Sequence, residues 1–226
     1  MSVTVIVRRG MDRFLTREPG RQTRHSFSFG SSYDPERLAF GPLTALNDDL
    51  LGTGAGYDAH RHTDVVLVTW VVTGELVHED ETGISTLAAG SLAVTRAGDG
   101  TTHSERAGDG VTRFVQSWLR PTIPGGAPSR RTTTPDLGGG DLVVVADADD
   151  LGVAGATYRI AALDAGATVT VPPAARRHLF VATGALVRSS LAEPLSAGDA
   201  FEVTGEHDLT VTSGVPTQLL VWSFDA

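Results

Sequence analysis

The sequence predicts an all-β protein made of one β unit used twice. Residues 64–77, Asp-Val-Val-Leu-Val-Thr-Trp-Val-Val-Thr-Gly-Glu-Leu-Val, are rich in β-branched side chains and apolar on both faces, as a strand inside a sandwich or barrel must be. Val71-Val-Thr-Gly-Glu-Leu-Val77 is matched by Val181-Ala-Thr-Gly-Ala-Leu-Val187, and Leu87-Ala-Ala-Gly-Ser-Leu-Ala-Val-Thr95 resembles Leu195-Ser-Ala-Gly-Asp-Ala-Phe-Glu-Val203. The paired glycines keep similar spacings, 16 residues from Gly74 to Gly90 and 14 from Gly184 to Gly198.

The elements follow in order. Met1-Ser-Val-Thr-Val-Ile-Val7, ahead of Arg8-Arg9, reads as a first strand; its apolar run is too short and precedes its charges, the reverse of a secretory signal, so a cytoplasmic protein is expected. Arg24-His25-Ser-Phe-Ser-Phe29 alternates, placing His25, Phe27 and Phe29 on one face of a half-buried strand, with His25 a core or edge histidine rather than a ligand. Ser32-Tyr-Asp-Pro35 and Phe40-Gly-Pro-Leu43 are breaks. Leu43 to Leu46 is a short strand expected to end in a turn at Asn47-Asp48-Asp49. Gly52-Thr-Gly-Ala-Gly56 lacks the glycine spacing and the following helix of a dinucleotide-binding loop. Gly74 permits a turn or bulge in the 64–77 run. His78-Glu-Asp-Glu-Thr-Gly83 reads as a charged hairpin end with His78 exposed. Strands follow at Ser91–Thr95, His103–Glu105 and Arg113–Arg120. Pro121 to Gly140, with four prolines and five glycines, reads as a linker. This gives two domains, 1–133 and 134–226.

Composition narrows the function. The chain has 226 residues, 41% hydrophobic and 20% charged, enough for two small domains with their own cores. Its charge of 18 − 27 = −9 opposes nucleic-acid binding, and Arg130-Arg131 is too small a basic patch to reverse that. No run approaches the roughly 20 apolar residues of a membrane span. There is no cysteine, which removes disulfides, thiolate ligands and cysteine nucleophiles.

Chemistry concentrates in His60-Arg61-His62 and His103-Ser104-Glu105. Alternate strand residues share a face, so each pair projects together. Three imidazoles and a carboxylate from two strands suit one divalent transition metal: iron, nickel, copper, zinc or manganese. A single His-x-His is common on surface strands; the second pair is what makes a metal site. Counted without gaps from the matching glycines, the equivalent positions in the second copy are Thr170, Pro172, Val211 and Ser213, none of them a histidine or carboxylate. The second copy is therefore expected to lack the metal. His178 and His207 have no histidine or carboxylate two residues away and are not expected to build a second site.

With the repeat and the ligands in view, the chain resembles the pirin family of two-domain cupins over nearly its whole length. The residues that carry the resemblance are His25-Ser-Phe-Ser-Phe, Tyr33-Asp-Pro35, Phe40-Gly41, Asn47-Asp-Asp49, His60-Arg-His62, Thr69 to Gly74, His78-Glu-Asp80, Ala97-Gly98, His103-Ser-Glu105 and Gln116-Ser-Trp118. The resemblance implies a bicupin, two β-sandwich or jelly-roll barrels in tandem. It implies one metal, commonly iron as Fe(II), on His60, His62, His103 and Glu105 of the first barrel. Two departures are Arg61, where the family has proline, and Thr63-Asp-Val-Val66, which alters the pocket wall near the ligands.

Bacterial proteins that look like this one often have quercetin 2,3-dioxygenase activity, so the resemblance implies a small flavonol-like substrate and dioxygen, with Glu105 as the base that deprotonates the flavonol hydroxyl. The resemblance also supports a non-enzymatic regulator whose iron redox state controls a protein partner. A cupin isomerase or a tailoring enzyme is a third reading. A dioxygenase requires an open pocket that reaches the metal; a regulator requires an exposed apolar patch beside a closed site.

Overall fold

The computed structural model describes residues 4–189 and 194–225; residues 1–3, at the start of the expected first strand, lie outside them. β1 (Thr4–Arg8) is followed by β2 (Phe14–Glu18), β3 (Arg21–His25), β4 (Leu43–Leu51), β5 (Gly56–His62), β6 (Val66–Thr73), β7 (Glu75–Asp80), β8 (Gly83–Ala88), β9 (Leu92–Arg96), β10 (Thr101–Ala107), β11 (Thr112–Leu119) and β12 (Ser129–Thr133). The second half supplies β13 (Val143–Ala146), β14 (Ala156–Leu163), β15 (Thr168–Val171), β16 (Arg176–Thr183), β17 (Ala185–Ser189), β18 (Leu195–Ser196), β19 (Ala200–Thr204), β20 (Leu209–Ser213) and β21 (Thr217–Phe224). The all-β expectation holds.

The chain divides into two compact units. The first-half unit, residues 14–135 with 151–153, has a sheet ordered β12-β9-β6-β11-β4-β3-β2 and a second sheet ordered β5-β10-β7-β8. Leu51, Val71, Ala93 and Phe114 from the first sheet meet Leu76, Leu87 and Ala107 from the second in one apolar cluster. The second-half unit, residues 1–13, 136–150 and 154–226, has a sheet ordered β1-β19-β16-β21-β14-β13 and another ordered β15-β20-β17-β18.

The two orders correspond except for β2, which has no counterpart in the second-half unit, with β1 standing beside β19 as β12 stands beside β9. The repeat extends to single contacts. Gly74 and Gly184 both have φ +78°. A Cβ on Gly74 would meet Val111 O at 2.4 Å, and one on Gly184 would meet Pro216 O at 2.3 Å, so both hairpins need glycine for the same two reasons.

The N-terminal strand belongs with the second half, unlike the linear division 1–133 and 134–226. The reason is local: a strand needs a partner for its backbone groups. β1 pairs along β19 from Thr4↔Thr204 to Arg8↔Ala200, and Val5 and Val7 pack on the second-half core. Arg8 bonds Glu202 and Arg9 bonds Asp199, each at 3.0 Å.

Several sequence expectations are corrected. The strand expected through Phe29 ends at His25, because Ser28 bonds both the carbonyl and the amide of Asp34 and folds the chain back. β2 was not foreseen at all. Asn47-Asp48-Asp49 is the buried centre of β4, not a turn: β4 is hydrogen-bonded to β3 and β11 on its two sides, and each polar side chain has a partner. Asp48 takes a two-pronged bond from Arg113 at 2.7 and 3.0 Å. The segment 121–140 is not only a linker, since β12 inside it pairs with β9 and carries Arg130 and Arg131 on a sheet edge. Among the described residues no helix is long and apolar enough to cross a membrane.

Candidate metal centre

β5 and β10 lie side by side, with His103 opposite His60 and Thr101 opposite His62. In this register the alternation within each strand brings the two histidine-bearing segments onto one inner face. His60 Nε2 and His103 Nε2 face each other at 3.1 Å, and the ring centroids of His60, His62 and His103 stand 4.6–5.0 Å apart. Among the described residues, two groups could hold a cation, each with its ligand atoms within 4.8 Å of one another: His60, His62 and His103, and His78, His103 and Glu105. They share His103. The sequence-predicted residues thus converge, with Glu105 joined to the histidines through His103.

The donor set fits a divalent metal. His60 Nδ1 lies 2.7 Å from the Asp58 carbonyl, which can only accept, so Nδ1 is the donor of that bond and Nε2 is the nitrogen turned toward His103. His62 Nε2 and His103 Nδ1 are buried with no hydrogen-bond partner. Burial, and then the His60 charge, hold the His62 pKa down at about 4 despite Glu105. Burial also lowers His103 to about 4 against the opposing pull of Glu105. Neutral imidazoles with free nitrogens are what a metal requires.

Glu105 is 5% exposed. Burial opposes its charge, but His78, His103 and the Gln116 amide outweigh that and keep its pKa below the usual carboxylate range. Gln116 Nε2 donates to both Glu105 oxygens, at 3.0 and 3.4 Å. His78 Nδ1 stands 3.8 Å from Glu105 Oε1, an ion-pair distance rather than a hydrogen bond, and its Nε2 lies 3.1 Å from Asp80. His78 is therefore not the exposed hairpin residue expected from the sequence: it is 3% exposed, because β7 pairs with β10 and sets His78 opposite Glu105.

A cavity of about 590 Å³ opens in front of this group, within the range of small-ligand sites. One wall is aromatic: His25 stacks on Phe29 at 4.8 Å, Phe29 meets Trp118 edge-on at 5.1 Å, and Trp118 meets His62 at 5.0 Å. The polar wall includes Asn47, Asp49, Tyr57 and Gln116, and the floor reaches His60 and Glu105. Of the core or edge placement expected for His25, the structure gives the core: it is buried on β3, between β2 and β4, and bonded to Thr16 and Asn47. Arg61 does not line the cavity; it is exposed and donates to the Asp99 carbonyl at 2.6 Å.

Sequence reasoning missed Asp49, Tyr57 and His78 as parts of the site. A two-residue alternation carried through 43–51 would have put Asn47 and Asp49 on one face. Tyr57 gives no such signal, because the β5–β10 register shifts between His103 and Glu105; this bulge turns Tyr57 inward and Asp58 out.

In the second-half unit the corresponding strands β15 and β20 send Val169, Val171, Leu209 and Val211 into an apolar core. His178 is fully buried next to the core residue Leu179 but outside that cluster, near Glu202, Arg8 and Arg13, and burial, offset in part by Glu202, lowers its pKa to about 4. It joins no cation-holding group among the described residues. His207 accepts from Arg177 through its carbonyl at 2.7 Å.

A family model described as Pirin matches residues 8–119. A Mycobacterium tuberculosis (strain ATCC 25618 / H37Rv) protein provisionally named quercetin 2,3-dioxygenase is 37% identical over 238 residues, covering 100% of this chain and 97% of its own length. A pirin-like protein of Caulobacter vibrioides is 31% identical over 210 residues, 88% of this chain and 90% of its own. The crystal structure of the bacterial pirin YhhW from Escherichia coli in complex with nickel(II) superposes with a TM-score of 0.88 at 24% identity, over 98% of this chain and 99% of that one. The duplicated sandwiches are accordingly the two barrels of a bicupin, and the chain belongs to the pirin family.

Proposed function

We propose that this pirin is a metal-dependent dioxygenase that holds one Fe(II) on His60, His62, His103 and Glu105 and acts on a flavonol-type substrate such as quercetin, with dioxygen as co-substrate. The observation that carries the reading is the cavity: it runs from an aromatic wall to His60 and Glu105, so a planar hydroxylated ligand can reach the ligand cluster. The metal-binding domain would be the first-half unit, and the second-half unit would carry none. When bound, the metal would supply Lewis acidity for the substrate oxygen and a redox partner for dioxygen.

The chain's own residues do the rest. Phe29 and Trp118 offer edges and faces to a flat ring system. The Gln116 amide holds Glu105 in place, and its carbonyl oxygen in turn accepts from Trp118 Nε1 at 2.8 Å, linking ligand orientation to the aromatic wall. The polar wall orients hydroxyls.

The test begins with the metal content of protein purified without added metal. Anaerobic reconstitution with Fe(II) follows, then flavonol consumption and carbon monoxide release are measured in air. One metal per chain with flavonol loss supports the dioxygenase. One metal without turnover favours a regulator that reads iron through a protein partner, and no metal removes the proposal.

A further inference from the structure

The cavity holds a second buried carboxyl, outside the proposed ligand set. Asp49, on β4, is 2% exposed. Thr23 Oγ1 and Tyr57 OH both donate to its Oδ1 at 2.5 Å, and the two hydroxyls are 2.8 Å from each other. Oδ2 accepts no hydrogen bond among the described residues, and Asp49 lines the cavity. Tyr57 is fixed from behind: the Arg21 guanidinium sits 4.3 Å over its ring and donates to the Gly56 carbonyl at 2.7 Å. Glu105, by contrast, has Gln116 on both oxygens, so it has little freedom to take a proton while serving as a ligand.

We propose that Asp49 is the proton acceptor of this cavity: its Oδ2 takes the proton of a ligand's aryl hydroxyl while Tyr57 and Thr23 hold Oδ1. The ligand O–H bond breaks, the O–H bond of the Asp49 carboxylic acid forms, and the electron pair stays on the ligand oxygen; nothing is oxidised. The inference rests on the reading above that the ligand carries such a hydroxyl, and it moves the base from Glu105 to Asp49. The charge environment agrees. Burial pushes the Asp49 pKa up, the bonds from Thr23 and Tyr57 pull it down, and Glu105 and Asp48 push it up again, to about 7. A carboxyl so poised can take up and return a proton near neutral pH. Of the other groups around it, Asp48 is engaged by Arg113, and Glu18, Arg21, His25, Asp58 and His60 border the same cavity.

The test uses the full chain loaded with nickel(II), without dioxygen, and 3-hydroxyflavone, whose single hydroxyl is un-ionised in water at both pH 6 and pH 8. Calorimetry in buffers of different ionisation heat counts protons released, and absorbance tells whether the bound ligand is neutral or anionic. For the native protein we expect a bound anion at both values, with about one proton released at pH 6 and close to none at pH 8, where Asp49 keeps it. Asp49→Asn is expected either to bind the neutral ligand or to release about one proton at both values. Tyr57→Phe, which removes a bond that stabilises the carboxylate, is expected to move the step to higher pH. Native and Asp49→Asn proteins with the same proton count and the same spectrum would overturn the role of Asp49 while leaving the aryl-hydroxyl ligand intact. Failure of the native protein to bind 3-hydroxyflavone would overturn both. Should Asp49→Asn not fold, an unmoved step in Tyr57→Phe overturns the proposal.

Discussion

His62 and His178 have the same lowered pKa for different ends. His62 stands beside two other imidazoles, whereas His178 has the charges of Glu202, Arg8 and Arg13 around it and joins no cation-holding group among the described residues. Truncating a proposed ligand should therefore differ from truncating His178. His60→Ala or His103→Ala is expected to reduce bound metal from about one equivalent to near none, and His178→Ala to leave it unchanged, measured by elemental analysis. Loss of metal in His178→Ala would sink the single-site assignment. The pH behaviour of His178 has a definite sign. Its folded pKa, about 4, lies below the unfolded value of 6.5, so between those values the unfolded chain binds more protons. Its contribution is complete above pH 6.5 and is lost as pH falls toward 4, an effect of about 3 kcal/mol. Denaturant titrations of metal-free His178→Leu across that window should show a shallower acid slope than the native protein; equal slopes would refute the assignment.

The bulge between β5 and β10 does two things at once. It keeps His103 opposite His60 and swings Tyr57 toward Asp49, which simple alternation from His60 would have pointed outward. Close approach of the two strands depends on Gly56, where an added Cβ would stand 2.0 Å from the Glu105 carbonyl oxygen and 2.5 Å from Arg106 Cα. Neither atom belongs to a flexible side-chain end, so β10 must move. Gly56→Ala is accordingly expected to weaken metal affinity by roughly 10- to 100-fold without touching a ligand. A competition titration with a chelator measures this, and unchanged affinity would show that the strand tolerates the shift.

The duplicated architecture also gives β1 its role: β19 needs an edge partner, and β1 supplies it. Deleting residues through Arg9 removes the packing of Val5 and Val7 and the two arginine–carboxylate bonds. The packing loss alone is about 2–3 kcal/mol. The exposed β19 edge should also promote self-association. The expected result is a lower Tm and a larger hydrodynamic size, with metal content unchanged; an unaltered Tm would mean β1 contributes little.

The all-β class, the strands around residues 66–77 and 91–119, the duplication and the four proposed ligands could be read from sequence because each depends on spacing of a few residues within one segment. His60, His62, His103 and Glu105 announce themselves by a two-residue period, and the glycine-anchored repeat marks the copy that lacks them. Asp49, His78 and Tyr57 could not be placed that way. His78 is buried because β7 pairs with β10, and Asp49 is buried because β4 has partners on both sides. Tyr57 faces in because one bulge breaks the alternation. The residence of β1 in the second-half unit is a pairing between positions nearly two hundred residues apart. Local periodicity fixes which side chains share a face, but hydrogen bonding between distant strands chooses which faces meet, and the cavity chemistry of this protein is set by that second choice.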